Sequence, residues 1–177
     1  MSIQNYKIDS VNNYKIDSMN KRDLIISIRA ARAEHIRWKA YISIALRGIV
    51  TTNSEEMLPI VHTECGFGKW YYGVGSSLSS LENYQILEDP HEMLHEMYIQ
   101  IYTLQKAKLR GGFFTSKRRL LRRRKAEIVS LVANLNDYSK IITTTLRQLE
   151  NDVLNMSNAD IESLINLNDE ANLSNDF

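Results

Sequence analysis

Across residues 21–50 the chain places apolar side chains at Leu24, Ile28, Ala31, Trp38, Ile42, Ala45 and Ile49. Steps of three and four make one continuous stripe down an α-helix. The single step of seven is bridged by His35, which stands between Ala31 and Trp38 on the same line. A helix this long buries such a stripe only against other helices, and a polar ring set into it needs a partner inside the core.

Other segments repeat the pattern. Pro90 fits the first turn of a helix, where its missing N–H costs nothing, and that helix is expected to run to about Leu109 and stop at Gly111-Gly112. A last long helix is predicted over 116–153, with a seam of Leu121, Ile128, Leu131, Leu135, Tyr138, Ile142, Thr145 and Leu149. Between them, 51–59 reads as a loop, 61–75 as a tight turn followed by a short aromatic-rich helix, and 76–89 as a connection. Residues 157–177 are expected to form one helical turn near 161–167 and then fray. The expected fold is all-α: a four-helix bundle with a short extra helix and flexible N- and C-terminal extensions. Two prolines and seven glycines in 177 residues suit that class, and the length suffices for one core.

Three regions follow. Residues 1–20 form a flexible arm in which the octapeptide at 5–12 recurs at 13–20 with Met19 replacing Val11; two copies are too few for a solenoid. Residues 21–153 form the bundle. Residues 154–177 form an acidic tail: from 151 onward there are six acidic residues and no Lys or Arg. Cys65 is the only cysteine, so no intramolecular disulfide forms. No signal-type apolar run opens the chain and no window is apolar enough to span a bilayer. A reducing cytoplasm is the expected setting, where a lone thiol is free for metal or redox chemistry.

The chemistry concentrates in four residues. His91 and His95, four apart on a predicted helix, lie about 40° from each other on one face. His35 points inward from another helix, and Cys65 sits at a glycine-flanked turn. Three imidazoles and a thiolate make a tetrahedral zinc set, but buried histidines also serve as hydrogen-bonded core residues and a lone cysteine as a small hydrophobe. On spacing alone both readings stand. His62 reads as a surface residue or an outer neighbour of the site.

The order of motifs is more specific. His35-x-x-Trp38-Lys39, then His62-x-x-Cys65-x-Phe67-Gly68-Lys69-Trp70-Tyr71-Tyr72-Gly73-x-Gly75, then Pro90-His91-x-x-x-His95, resembles the chemoreceptor zinc-binding domain, the CZB family. The likeness runs over about 21–153, in pattern alone after Gly112. It implies a helical bundle that binds Zn2+ through His35, Cys65, His91 and His95. It also implies a homodimer, and sensing of zinc or of oxidants at Cys65 for chemoreceptor or diguanylate cyclase pathways. Within these 177 residues lie neither signalling helices nor a cyclase, so the domain is expected to control a separate partner or to act through its own extensions. Four protein ligands close a zinc site, and no enzyme motif accompanies them, so the chain is not expected to be an enzyme.

A second feature is cationic. Lys117, Arg118, Arg119, Arg122, Arg123, Arg124 and Lys125 fall within nine residues at the start of the last helix. They are either a solvated helix start or a surface for an anionic partner: nucleic acid, a membrane surface, an acidic protein or the chain's own tail. Cations at a helix N-terminus oppose the macrodipole, which favours such a partner.

Overall fold

The fold is that of a computed structural model describing residues 19–46, 61–108 and 116–174. The octapeptides before Met19, the helix end at Val50, the loop at 51–59, the stop at Gly111-Gly112 and the residues after 174 lie outside the described residues.

Helix α1 (Lys21–Leu46) begins at a capping box. Asn20 Oδ1 accepts from the N–H groups of Arg22 (2.9 Å) and Asp23 (3.1 Å), and Asp23 Oδ2 accepts from Asn20 N–H (3.2 Å). After a 3₁₀ turn at His62–Glu64 come α2 (Gly66–Tyr71), a second 3₁₀ turn at Val74–Leu78 and α3 (Glu82–Gln85). Helix α4 (Glu88–Lys106) carries Pro90 in its first turn, and α5 (Lys117–Asn155) spans 39 residues. No strand occurs among the described residues, as the helical patterning predicts.

Helix α5 is the axis, with α1 and α4 packed along it. The ion pairs of Arg29 Nε and Arg32 Nη1 with Glu150 (2.7 and 2.9 Å) fix α1 antiparallel to α5. At its start Lys21 Nζ donates to the carbonyls of Leu154 and Met156, capping the C-terminal end of α5. Leu24, Ile28, Ala31 and Ile42 are buried on the predicted stripe, together with His35 and Trp38.

Two expectations are corrected. Leu121 does not lie on a buried seam: it is 46% exposed, because α5 meets the core only from Ile128 and Leu131, which are partly buried, and is fully buried only from Leu135. The buried line runs Leu135, Ser139, Ile142, Thr145, Leu146, Leu149 and Val153, and the predicted Tyr138 is half-buried, packing against that core beside Ser139. After residue 154 the chain is also more than a single turn. Helix α6 (Asn158–Ser174) starts at a second capping box, Ser157 with Asp160, and buries Ile161, Leu164 and Ile165. It packs on the Val74–Leu78 turn, so this part of the predicted flexible extension belongs to the core. No helix among the described residues is long and apolar enough to cross a membrane.

Candidate metal centre

The Cys65 turn is built by its neighbours. Cys65 is the N-cap residue of α2; its Sγ accepts the Gly68 N–H at 3.2 Å, while its thiol donates to the His62 carbonyl at 3.2 Å. Gly68 is required there, since a Cβ would collide with that same carbonyl oxygen. The aromatic run then anchors the turn. Trp70 Nε1 donates to Ser27 Oγ on α1 (3.2 Å), and Tyr71 stacks on Tyr84 with centroids 4.3 Å apart.

Opposite the turn, α4 brings up its paired histidines. Cys65 Sγ lies 3.2 Å from His91 Nε2, and one ligand atom from each of Cys65, His91 and His95 falls within 4.8 Å of the others. All three residues are 2% exposed. Two donors about 2.0–2.3 Å from a tetrahedral zinc lie roughly 3.3–3.6 Å apart, so the Cys65–His91 separation is close to that of two ligands on one ion, and the sulfur–nitrogen donor set suits zinc. Glu92 and Glu96 point to solvent, leaving the cluster free of the carboxylates that flank its histidines in sequence.

His35 is close by but outside that group of three. Its ring is 1% exposed and edge-on to Phe67, whose ring in turn lies 4.4 Å from that of His91. Its Nε2 is 3.0 Å from Ser139 Oγ on α5. The sequence reading missed Ser139; its one signal was a hydroxyl between Leu135 and Ile142 at seam spacing. His62 is half-buried at the edge of the cluster, its centroid 5.8 Å from His91 and 6.4 Å from His95.

Burial sets the electrostatics. It lowers His91 to about 2 and His35 to about 4, helped by the neighbouring histidines and, for His35, by Lys39. Both rings are therefore neutral at ordinary pH, the form that ligates a metal. Burial pushes the Cys65 thiol up, against the N–H groups of Gly68 and Phe67, which favour the thiolate. A cation beside the sulfur reverses that balance and releases the proton.

The cationic run lies elsewhere. All seven of its charged residues sit in the first turns of α5; Arg124 is half-buried and the other six are exposed.

Residues 35–102 match the model of a family described as the chemoreceptor zinc-binding domain, CZB, the same family that the motifs resemble. That stretch starts at His35 and contains Cys65, His91 and His95. Neither the curated proteins nor the solved structures hold a match to the chain.

Proposed function

We propose that the chain is a zinc-binding sensory domain in which Cys65, His91, His95 and His35 hold the ion. The observation that carries this is the convergence of Cys65, His91 and His95 inside the stretch that matches the zinc-binding family. His35 is assigned as the fourth donor because it is buried among these groups and Ser139 engages one ring nitrogen, the outer partner a ligating histidine normally has. Zinc bound there neutralises the thiolate and cross-links three chain segments. With four protein donors the site is closed, so its role is regulatory rather than catalytic.

The chain's own residues supply the switch. His35 ties α1, and Cys65 ties the turn before α2, to α4. Two-electron oxidation of the Cys65 thiolate by peroxide or hypochlorite gives a sulfenate, with water or chloride as the reduced product, and weakens that donor. His35, released, is a polar ring on an apolar stripe, and α1 shifts to hydrate it. A separate partner reads that shift in the cytoplasm, in a chemoreceptor or diguanylate cyclase pathway, and the domain works as a homodimer.

Elemental analysis of protein purified without chelators is expected to give about one zinc per chain, with His91→Ala and His95→Ala losing it. Metal-free wild-type protein that takes up no added zinc rules the reading out. Hydrogen exchange on zinc-loaded, stripped and oxidised protein tests the switch: protection changes confined to α1 and the Cys65 turn support it, and no change after oxidation ends it.

A second reading rests on α5. By helical geometry Arg118, Arg119, Arg122, Arg123 and Lys125 share an arc of about 160° on the side away from the seam. All five are exposed, and none makes an ion pair among the described residues. In this reading zinc staples the bundle and the cationic face binds an anionic partner, whether nucleic acid, membrane or acidic protein.

A further inference from the structure

We propose that His62 is the capture ligand of the metal centre, the group that takes a zinc ion from solvent and passes it to the buried donors. This rests on the zinc reading above. His35, Cys65, His91 and His95 are each 2% exposed or less, so a hydrated ion meets none of them first. Of the four histidines, His62 alone reaches the surface, and its ring lies edge-on to His91 with centroids 5.8 Å apart. Two imidazoles on one tetrahedral zinc have centroids roughly 5 Å apart, so His62 stands within a small side-chain movement of sharing an ion with His91, although it is not one of the three residues whose ligand atoms already converge.

The hydrogen bonds on His62 prepare it to bind. Tyr72 O–H donates to Glu88 Oε1 at 2.8 Å, which uses its only proton. The contact between Tyr72 Oη and His62 Nε2, at 3.2 Å, must then have the ring N–H as donor. That fixes the proton on Nε2 and leaves the lone pair on Nδ1. A carboxylate acting through a hydroxyl on the far nitrogen is the outer arrangement that orients metal-ligating histidines. Glu88, Asp89 and Glu92, all exposed in the first turns of α4, add negative charge, and Glu88 and Glu92 act directly on the Tyr72 hydroxyl. A cation is concentrated at that mouth.

His62 also touches the thiol, since its carbonyl accepts the Cys65 S–H. Transfer would be a ligand exchange in which His62 Nδ1 gives up its place to the Cys65 sulfur, whose proton would leave to solvent, and to the buried imidazoles of His91, His95 and His35.

Cobalt(II) chloride mixed in stopped flow with metal-free full-length protein tests this, because the thiolate–cobalt absorption reports arrival at Cys65. His62→Gln is expected to load about tenfold more slowly while keeping one ion per chain and an unchanged final d–d spectrum. Tyr72→Phe, which keeps the ring but removes its outer partner, is expected to slow loading several-fold. Wild-type loading rates in both folded variants overturn the proposal. So does an altered final spectrum or lost stoichiometry in His62→Gln, which makes His62 a resident ligand. If wild-type protein takes up neither cobalt nor zinc, the zinc reading itself has failed.

Discussion

The indole of Trp38 lies against the imidazole of His95, with ring centroids 4.1 Å apart and planes inclined by 30°. Trp38 Nε1 has no hydrogen-bond partner among the described residues, so this ring is held by packing alone. A metal on His95 withdraws electron density from the stacked imidazole. Zinc titration of the metal-free protein is therefore expected to change tryptophan emission, saturating at one equivalent. Trp38→Phe should abolish most of the change, and Trp70→Phe, whose indole is bonded to Ser27, should preserve it. Equal loss in both variants would mean that the signal reports general ordering instead.

A second prediction concerns the α1–α5 clamp. Burial raises the Glu150 carboxyl, but Arg29 and Arg32 outweigh it and hold the group below the usual carboxylate range. A depressed carboxylate contributes stability that is full above its unfolded value of about 4.3 and is lost as pH falls through the lower folded value. Glu150→Gln is expected to cost about 1.5–3 kcal/mol at neutral pH, and the difference from wild type should shrink as pH drops below about 4. Urea unfolding of both proteins at neutral and acid pH measures it. A constant difference would show that packing rather than charge makes the clamp.

How far the sequence was legible depended on whether a signal was local. Leu24, Ile28, Ala31 and Ile42 repeat at helical spacing, so α1 and its buried face could be read directly, and His35 stood out as the polar interruption. The pairing of His91 with His95 followed from four-residue spacing. That Cys65 joins them did not, because the contact spans separate segments, and there the motif resemblance carried the assignment. Leu121 failed because a period in sequence carries no information about where the partner helices end. Ser139 was hidden beside Tyr138, which fits the seam nearly as well by spacing. Residues 158–174 looked like a tail because acidic composition outweighed a four-residue signature, Ser157 to Asp160, that starts a helix.

Helix α6 gives a third prediction. Ile161 is 2% exposed and belongs to the same core as Leu149 and Val153. Ile161→Ala is expected to destabilise the protein by about 2–5 kcal/mol, as do other large-to-small changes in a packed core. For a chain of this size each kcal/mol lowers Tm by about 2–4 °C. Calorimetry checks it. A change within a degree of wild type would return 154–177 to the status of a detached tail.

The last prediction separates a solvated helix start from a binding face. On α5, the outward arc of Arg118, Arg119, Arg122, Arg123 and Lys125 is exposed, whereas Leu120 and Leu121 lie about 140° and about 120° from its centre. Insertion into a bilayer needs apolar side chains on the binding face, which this arc lacks, so any partner is held by charge and by guanidinium–phosphate or guanidinium–carboxylate pairs. Binding of that kind releases counterions, and its affinity falls steeply as salt rises. Arg118→Glu with Arg122→Glu reverses two charges of the arc without touching the buried seam. If the face is functional, the double variant should lose binding to duplex DNA or to anionic vesicles by about tenfold or more at low salt, with unchanged zinc content. The two ligands separate the candidate partners, and an acidic peptide covering 158–177 added as competitor tests the chain's own tail. No binding by wild-type protein to any of the three at low salt makes the run a solvated helix start.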